Sequence, residues 1–156
     1  MNVLLREMIA GDLPAVFEHQ QDPVGRHMAA FTSKDPTDRA AFMAHWSRLL
    51  VDASVTKRTI LLDGRLVGSI ASFGASLGRE VTYWIAKEHW GKGVATAALG
   101  EILKVERTRP LFARAAKDNL GSIRVLEKCG FRICREGRWF ANARGAEIEE
   151  VVLELR

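Results

Sequence analysis

The stretch from Val81 to Thr96 constrains this chain more than any other, because a strand pattern runs into a glycine turn that opens straight into a helix. Val81, Thr82, Tyr83, Trp84 and Ile85 are β-branched or aromatic, the residue types that pack well on a pleated surface. Gly91 and Gly93 remove Cβ atoms where a ligand would lie close to backbone, and Val94 onward has helical spacing. The first N–H groups of a helix lack partners within it, and the helix dipole adds positive charge there. Strand, glycine turn and helix start in this order predict an anion cradle suited to phosphate.

The rest of the chain frames this unit with strands and helices of ordinary length. Val3 to Met8 reads as a first strand, and Asp12-Leu13-Pro14 opens a helix reaching about His19. Gln20 to Lys34 has no clear period and is either a loop or a short broken helix. Asp35 is placed to cap a helix with Pro36 in its first turn, and Phe42, Trp46, Leu49 and Leu50 then share one face up to about Val51. Asp63-Gly64, between Arg58–Leu62 and Arg65–Ala71, fits a type I′ hairpin turn. After the strand Glu80–Ile85, the helix from Val94 to about Arg107 must stop before Pro110. Leu111–Ala116 is a further strand, Asp118-Asn119 supplies the cap of a helix that Gly130 ends, and Phe131–Glu136 and Ile148–Leu155 close the chain as strands. This order predicts one α/β unit over residues 1–156 with a mixed sheet.

Composition narrows the partners. The 23 Lys and Arg exceed the 19 Asp and Glu by a net +4 that is scattered along the chain, which suits a small anionic ligand better than a nucleic-acid groove. No apolar run approaches the roughly 18 residues of a membrane span, and Arg6 and Glu7 come too early for a secretory signal, so a cytoplasmic location is expected. Cys129 and Cys134 match no zinc or redox spacing and read as buried free thiols. His19, His27, His45 and His89 are scattered, so no metal is expected. Gly91-Lys92-Gly93 begins like a dinucleotide fingerprint, but Thr96 stands at its third glycine and no acidic residue ends a second strand about 20 residues on.

Tyr83-Trp84-Ile85, then Trp90-Gly91-Lys92-Gly93-Val94-Ala95-Thr96, then Asn119 to Phe131, in this order and spacing, resemble the GNAT superfamily of acyl-CoA-dependent N-acetyltransferases, within it the RimJ/RimL-like, ribosomal-protein type. The resemblance covers nearly the whole chain and implies a mostly antiparallel, splayed central sheet of six to seven strands flanked by about four helices. It implies acetyl-CoA as co-substrate, its pyrophosphate wrapped by Gly91 to Thr96 and its pantetheine arm met by backbone groups of Trp84, Ile85 and Ala86. Asn119 and Ser122, three apart on a helix, would face the same slot. Trp90 stands where the superfamily has Arg or Gln, and an indole offers one donor and no charge, so backbone amides and Lys92 would hold the phosphates.

Acetyl transfer to an amine needs a neutral amine, stabilisation of the oxyanion at the thioester carbonyl, and a proton for the departing thiolate. Neutralising a lysine at pH 7 costs about 4.6 kcal/mol and an α-amine only about 1.4 kcal/mol. A weak base therefore suffices for an N-terminus. Glu80, on the same side of its strand as Thr82 and Trp84, is the candidate base, though it also reads as a plain exposed carboxylate. Ser122 is the candidate acid, in the role that many relatives give to a tyrosine. Met28, Phe31 and Trp46 are candidates to line the acceptor side, although core packing explains Trp46 equally. The expected activity is acetyl transfer to a primary amine, either a protein N-terminal α-amine or a small molecule, by a monomer or homodimer. The alternative is a non-catalytic acyl-CoA sensor.

Overall fold

A computed structural model describes every residue from Met1 to Arg156. Strands β1 (Val3–Glu7), β2 (Thr56–Leu62), β3 (Arg65–Phe73), β4 (Glu80–Ile85), β5 (Leu111–Ala116), β6 (Arg132–Ala141) and β7 (Ala146–Leu155) form one sheet in the order β1-β2-β3-β4-β5-β7-β6. Helices are α1 (Leu13–His19), α2 (Pro23–Ala29), α3 (Arg39–Leu50), α4 (Val94–Ile102) and α5 (Leu120–Lys128). All neighbouring strands are antiparallel except β4 and β5. These two are parallel and share one registered pair, Glu80 with Phe112, so they meet only near their starts and leave the rest of their facing edges unpaired.

The pleat assigns the two faces. Val81, Tyr83 and Ile85 of β4 join Leu111 and Ala113 of β5 and Val151 and Leu153 of β7 in the main core, under Leu99 and Ile102 of α4 and Ile123 and Leu126 of α5. Glu80, Thr82, Trp84, Phe112, Arg114 and Glu150 therefore lie on the opposite face. A buried group staples the closed end of the β4–β5 gap. Glu106 accepts from Ser72 Oγ at 2.5 Å, Arg79 Nε at 2.6 Å and the Thr108 N–H at 3.2 Å, joining the end of β3 to the residues just before β4 and β5.

The Asp63-Gly64 turn has φ of 50° and 85°, both positive as type I′ requires. Other expectations need correcting. The undecided segment contains α2, started by the Asp22 carboxylate accepting from the Gly25 N–H at 2.6 Å with Pro23 behind the cap. This makes five helices. Asp35 does not cap α3; it closes a turn on Thr37, and Asp38 caps instead, accepting from the Ala41 N–H at 3.0 Å. Helix α4 ends at Ile102, well before Arg107, because the chain must turn Glu106 inward. Strands β6 and β7 run longer than expected, and β6 is an edge strand open along most of its length, so Cys134 is exposed and only Cys129 is partly covered.

Candidate active site

The unpaired edge of β4 is the floor of the site. The Arg79 carbonyl accepts from Phe112 N on β5, whereas Ala86 N donates to Val67 O on β3. Successive residues of a strand present their backbone groups to opposite edges, so Val81, Tyr83 and Ile85 address the gap while Trp84 and Ala86 address β3. Gly68 of β3 confirms the direction, since a Cβ there would collide with the Trp84 carbonyl. Of the three residues expected to offer backbone to a pantetheine arm, only Ile85 points into the gap. Its carbonyl accepts from Trp90 Nε1 at 2.8 Å, so the indole at the unusual motif position braces the turn.

Beyond Trp90 the chain turns through Gly91 (φ 72°) and Gly93 (φ 80°), and Gly93 is the N-cap of α4 with no side chain closing the helix start. A Cβ at Gly91 would meet nothing within 4 Å, leaving open space above the backbone. Val94 is buried and Ala95 packs on the core, so this segment offers an anion backbone amides rather than side chains, with Lys92 exposed beside them. Thr96 sits at the α4–α5 contact, its carbonyl accepting from the Cys129 thiol at 3.7 Å.

Across the gap, Asn119 caps α5 by accepting from the Ser122 N–H at 3.3 Å and donates to the Met28 carbonyl at 3.2 Å, tying α5 to α2. Ser122 Oγ lies 2.8 Å from the Tyr83 hydroxyl. Burial pushes the Tyr83 phenol up to about 12, against the opposing effect of its hydrogen bond to Ser122. Tyr83 is therefore protonated at neutral pH and can donate to Ser122, leaving the serine proton free for another acceptor.

The opposite face carries the carboxylates. Glu80 Oε1 accepts from Arg114 Nε at 2.5 Å, and the same guanidinium reaches Glu150 Oε1 at 3.1 Å. Two carboxylates thus share one guanidinium, and on the same face the Arg135 guanidinium lies over the Phe112 ring, 5.9 Å from its centroid. Above it, Trp84 Nε1 donates to the His19 carbonyl at 3.2 Å, and α2 lies against the Trp84 ring at Gly25. Phe31 packs beside Ala30, Ala116 and Ala141 near this end of α2. Trp46 is not brought here; with Phe42 it covers a separate cluster of Met8, Leu13 and Val16.

A family model described as acetyltransferase (GNAT) domain matches residues 2–132. The chain belongs to the GNAT acetyltransferase family. GNAT enzymes transfer acetyl from acetyl-CoA, and this chain is an N-acetyltransferase of that kind. YdaF of Bacillus subtilis (strain 168), provisionally named a ribosomal N-acetyltransferase, is 30% identical over 138 residues, covering 82% of this chain and 75% of YdaF. RimJ of Mycobacterium smegmatis, solved in complex with CoA-disulfide, superposes with TM-score 0.78 at 22% identity, covering 98% of this chain and 81% of RimJ. The yncA structure from Salmonella typhimurium, with acetyl-CoA, gives TM-score 0.80 at 18% identity, covering 99% and 93%. These two structures establish the shared fold.

Within this GNAT fold the structure adds two groups that the sequence reading missed. Tyr83 reaches Ser122 from 39 residues away, a pairing that no local spacing encodes. Glu150, only 6% exposed, had a visible sign: a carboxylate immediately before the apolar run Val151-Val152-Leu153. No helix of the chain is long and apolar enough to cross a membrane.

Proposed function

We propose that this GNAT domain acetylates a primary amine, preferentially the α-amine of a protein or peptide. The observation that carries this reading is the β4–β5 gap, which opens between the Tyr83–Ser122 hydroxyls on one face and the Glu80–Arg114–Glu150 carboxylates on the other. Proton acceptor and proton donor are thereby kept apart, one to take the proton of the attacking amine and the other to protonate the departing thiolate.

The residues present fit coenzyme A. The bare turn at Gly91 and Gly93, the open start of α4 and the free edge of β4 would hold its pyrophosphate and pantetheine arm. When bound, acetyl-CoA supplies an activated acyl carbon and a thiolate leaving group. Ser122 presents its hydroxyl proton to that sulfur, oriented by the Tyr83 bond. Glu80, held in place by Arg114, takes the amine proton directly or through water. An α-amine suits such a modest base, since it costs about 1.4 kcal/mol to neutralise at pH 7 against about 4.6 kcal/mol for lysine.

The test is thiol release from acetyl-CoA with N-terminal peptides, lysine-only peptides, polyamines and aminoglycosides. Peptides with free α-amines should turn over with the highest kcat/KM, and Glu80→Gln should lower kcat while leaving coenzyme A binding intact. Turnover confined to small amines would overturn the α-amine preference.

A further inference from the structure

A second concavity lies on the other side of α2. Pro23, Arg26 and His27 occupy one face of this helix, at i, i+3 and i+4, while Gly25 is turned toward Trp84. Arg26 and His27 line a cavity of about 260 Å³ together with Thr32, Ser33, Lys34 and Asn142, and no carboxylate lines it. The Lys34 ammonium is exposed and makes no ion pair. The Arg26 guanidinium bonds the Gln20 carbonyl at 2.9 Å and the Gln21 side-chain oxygen, both neutral, so its charge is uncompensated by a bonded carboxylate. Asp35 is near enough to feel Arg26, but its carboxylate is bound to the Thr37 N–H and hydroxyl.

The walls are built rather than incidental. The turn between β6 and β7 clamps them through three bonds: Asn142 Nδ2 to Thr32 O at 2.8 Å, Ala143 N to Ala30 O at 3.1 Å, and Arg144 Nε to His27 O at 2.6 Å. Arg144 is anchored in turn by a two-pronged pair with Asp118, at 2.8 and 3.0 Å, just ahead of the α5 cap. Between α2 and this wall, Ala30 has φ 63° and ψ −59°, and Phe31 N donates to Ala29 O at 2.7 Å. That is the rare, strained form of the three-residue γ-turn, held by a residue that is fully buried. The strained turn leads directly into Thr32 to Lys34, which line the cavity with Arg26.

We infer that this cavity receives the carboxylate of an acidic residue in a peptide acceptor whose α-amine lies in the acetyl-transfer gap. The inference rests on the α-amine reading above. A helix is roughly 10 Å across and an extended chain advances about 3.4 Å per residue, so the acidic residue would stand about three positions after the acetylated one.

Two tetrapeptide amides, Ser-Ala-Glu-Glu and Ser-Ala-Gln-Gln, test it with the full chain. The acidic peptide should have about tenfold higher kcat/KM, carried by KM and reduced by added salt. Lys34→Glu, at an exposed loop position, should abolish the preference while leaving acetylation of the neutral peptide unchanged. Equal kcat/KM for both peptides in the wild-type protein would overturn the inference and leave N-acetyltransfer standing. Calorimetry with the N-acetylated acidic peptide provides a readout independent of turnover. Binding that Lys34→Glu removes supports the cavity even if the α-amine reading fails, and absence of binding overturns it. Displacement of that peptide by an equal concentration of inorganic phosphate would also overturn it, making the cavity a free-anion site.

Discussion

Ser122 and Tyr83 show where a single side chain gains its role from a distant partner. Ser122 is one of the first residues of α5 because Asn119 caps that helix, and both facts were legible in the Asn119-to-Phe131 segment. The Tyr83 hydroxyl was not, because a 2.8 Å contact between a strand and a helix 39 residues apart depends on tertiary packing. The same holds for Glu80. Its place on the face with Thr82 and Trp84 followed from strand alternation, but its ion pair with Arg114 needed β5 alongside. If Tyr83 acts by orienting the Ser122 proton, Ser122→Ala should lower kcat by about 10²-fold, within the usual range for a lost proton donor. Tyr83→Phe should lower kcat by roughly tenfold with the KM for acetyl-CoA little changed, and should have almost no further effect in the Ser122→Ala background. Additive losses in that double-mutant cycle would show that Tyr83 acts elsewhere.

Helix α4 carries two glycines whose replacement should have opposite consequences. Gly93 caps the helix at φ 80°, and although a Cβ there would find only Met1 Cε at 3.8 Å, the left-handed backbone itself opposes a side chain. Gly93→Ala should destabilise the protein by about 1–2 kcal/mol and weaken coenzyme A binding, since the strain falls on the turn expected to cradle pyrophosphate. Gly100 lies in the exposed interior of the same helix with an ordinary φ and nothing within 4 Å, so Gly100→Ala should stabilise by up to about 1 kcal/mol. Thermal unfolding should separate them by sign, at about 2–4 °C per kcal/mol for a chain of this size. Punctuation of this kind is what the sequence displayed best: the glycine turn, the Asp63-Gly64 hairpin and the Asn119 cap were all readable. It misled where two aspartates competed, because whether Asp35 or Asp38 starts α3 depends on Asp35 finding Thr37 within its own turn.

Two buried carboxylates hold the sheet to its surroundings at distant places; in the sequence Asp12 reads only as part of a helix start, where its side chain caps nothing, and Glu106 looks like an ordinary surface acid. Asp12 receives a two-pronged bond from Arg6 at 2.7 and 2.8 Å, with the Ile9 N–H and Thr59 hydroxyl, and fastens α1 to β1 and β2. Chiefly through the Arg6 bond, its carboxyl is lowered to about 2. Glu106 opposes burial with bonds from Ser72, Arg79 and Thr108 and is likewise lowered to about 2. Each group has a folded value below its unfolded one, so between about pH 4.5 and 2 the unfolded chain binds the extra protons and stability rises with pH. The stabilisation is complete above the unfolded values and disappears as pH falls through about 2. Urea unfolding at pH 7, 4 and 2.5 should therefore show a steep acid loss. Glu106→Gln should cost about 3 kcal/mol at pH 7, as expected when one partner of a buried pair is removed, and the difference from wild type should shrink toward zero near pH 2. Because Glu106 staples the closed end of the β4–β5 gap, the variant should also bind acetyl-CoA more weakly at pH 7, whereas Asp12→Asn should lose stability without that effect. A constant stability gap between Glu106→Gln and wild type across this pH range would show that the carboxylate charge is not what holds the gap closed.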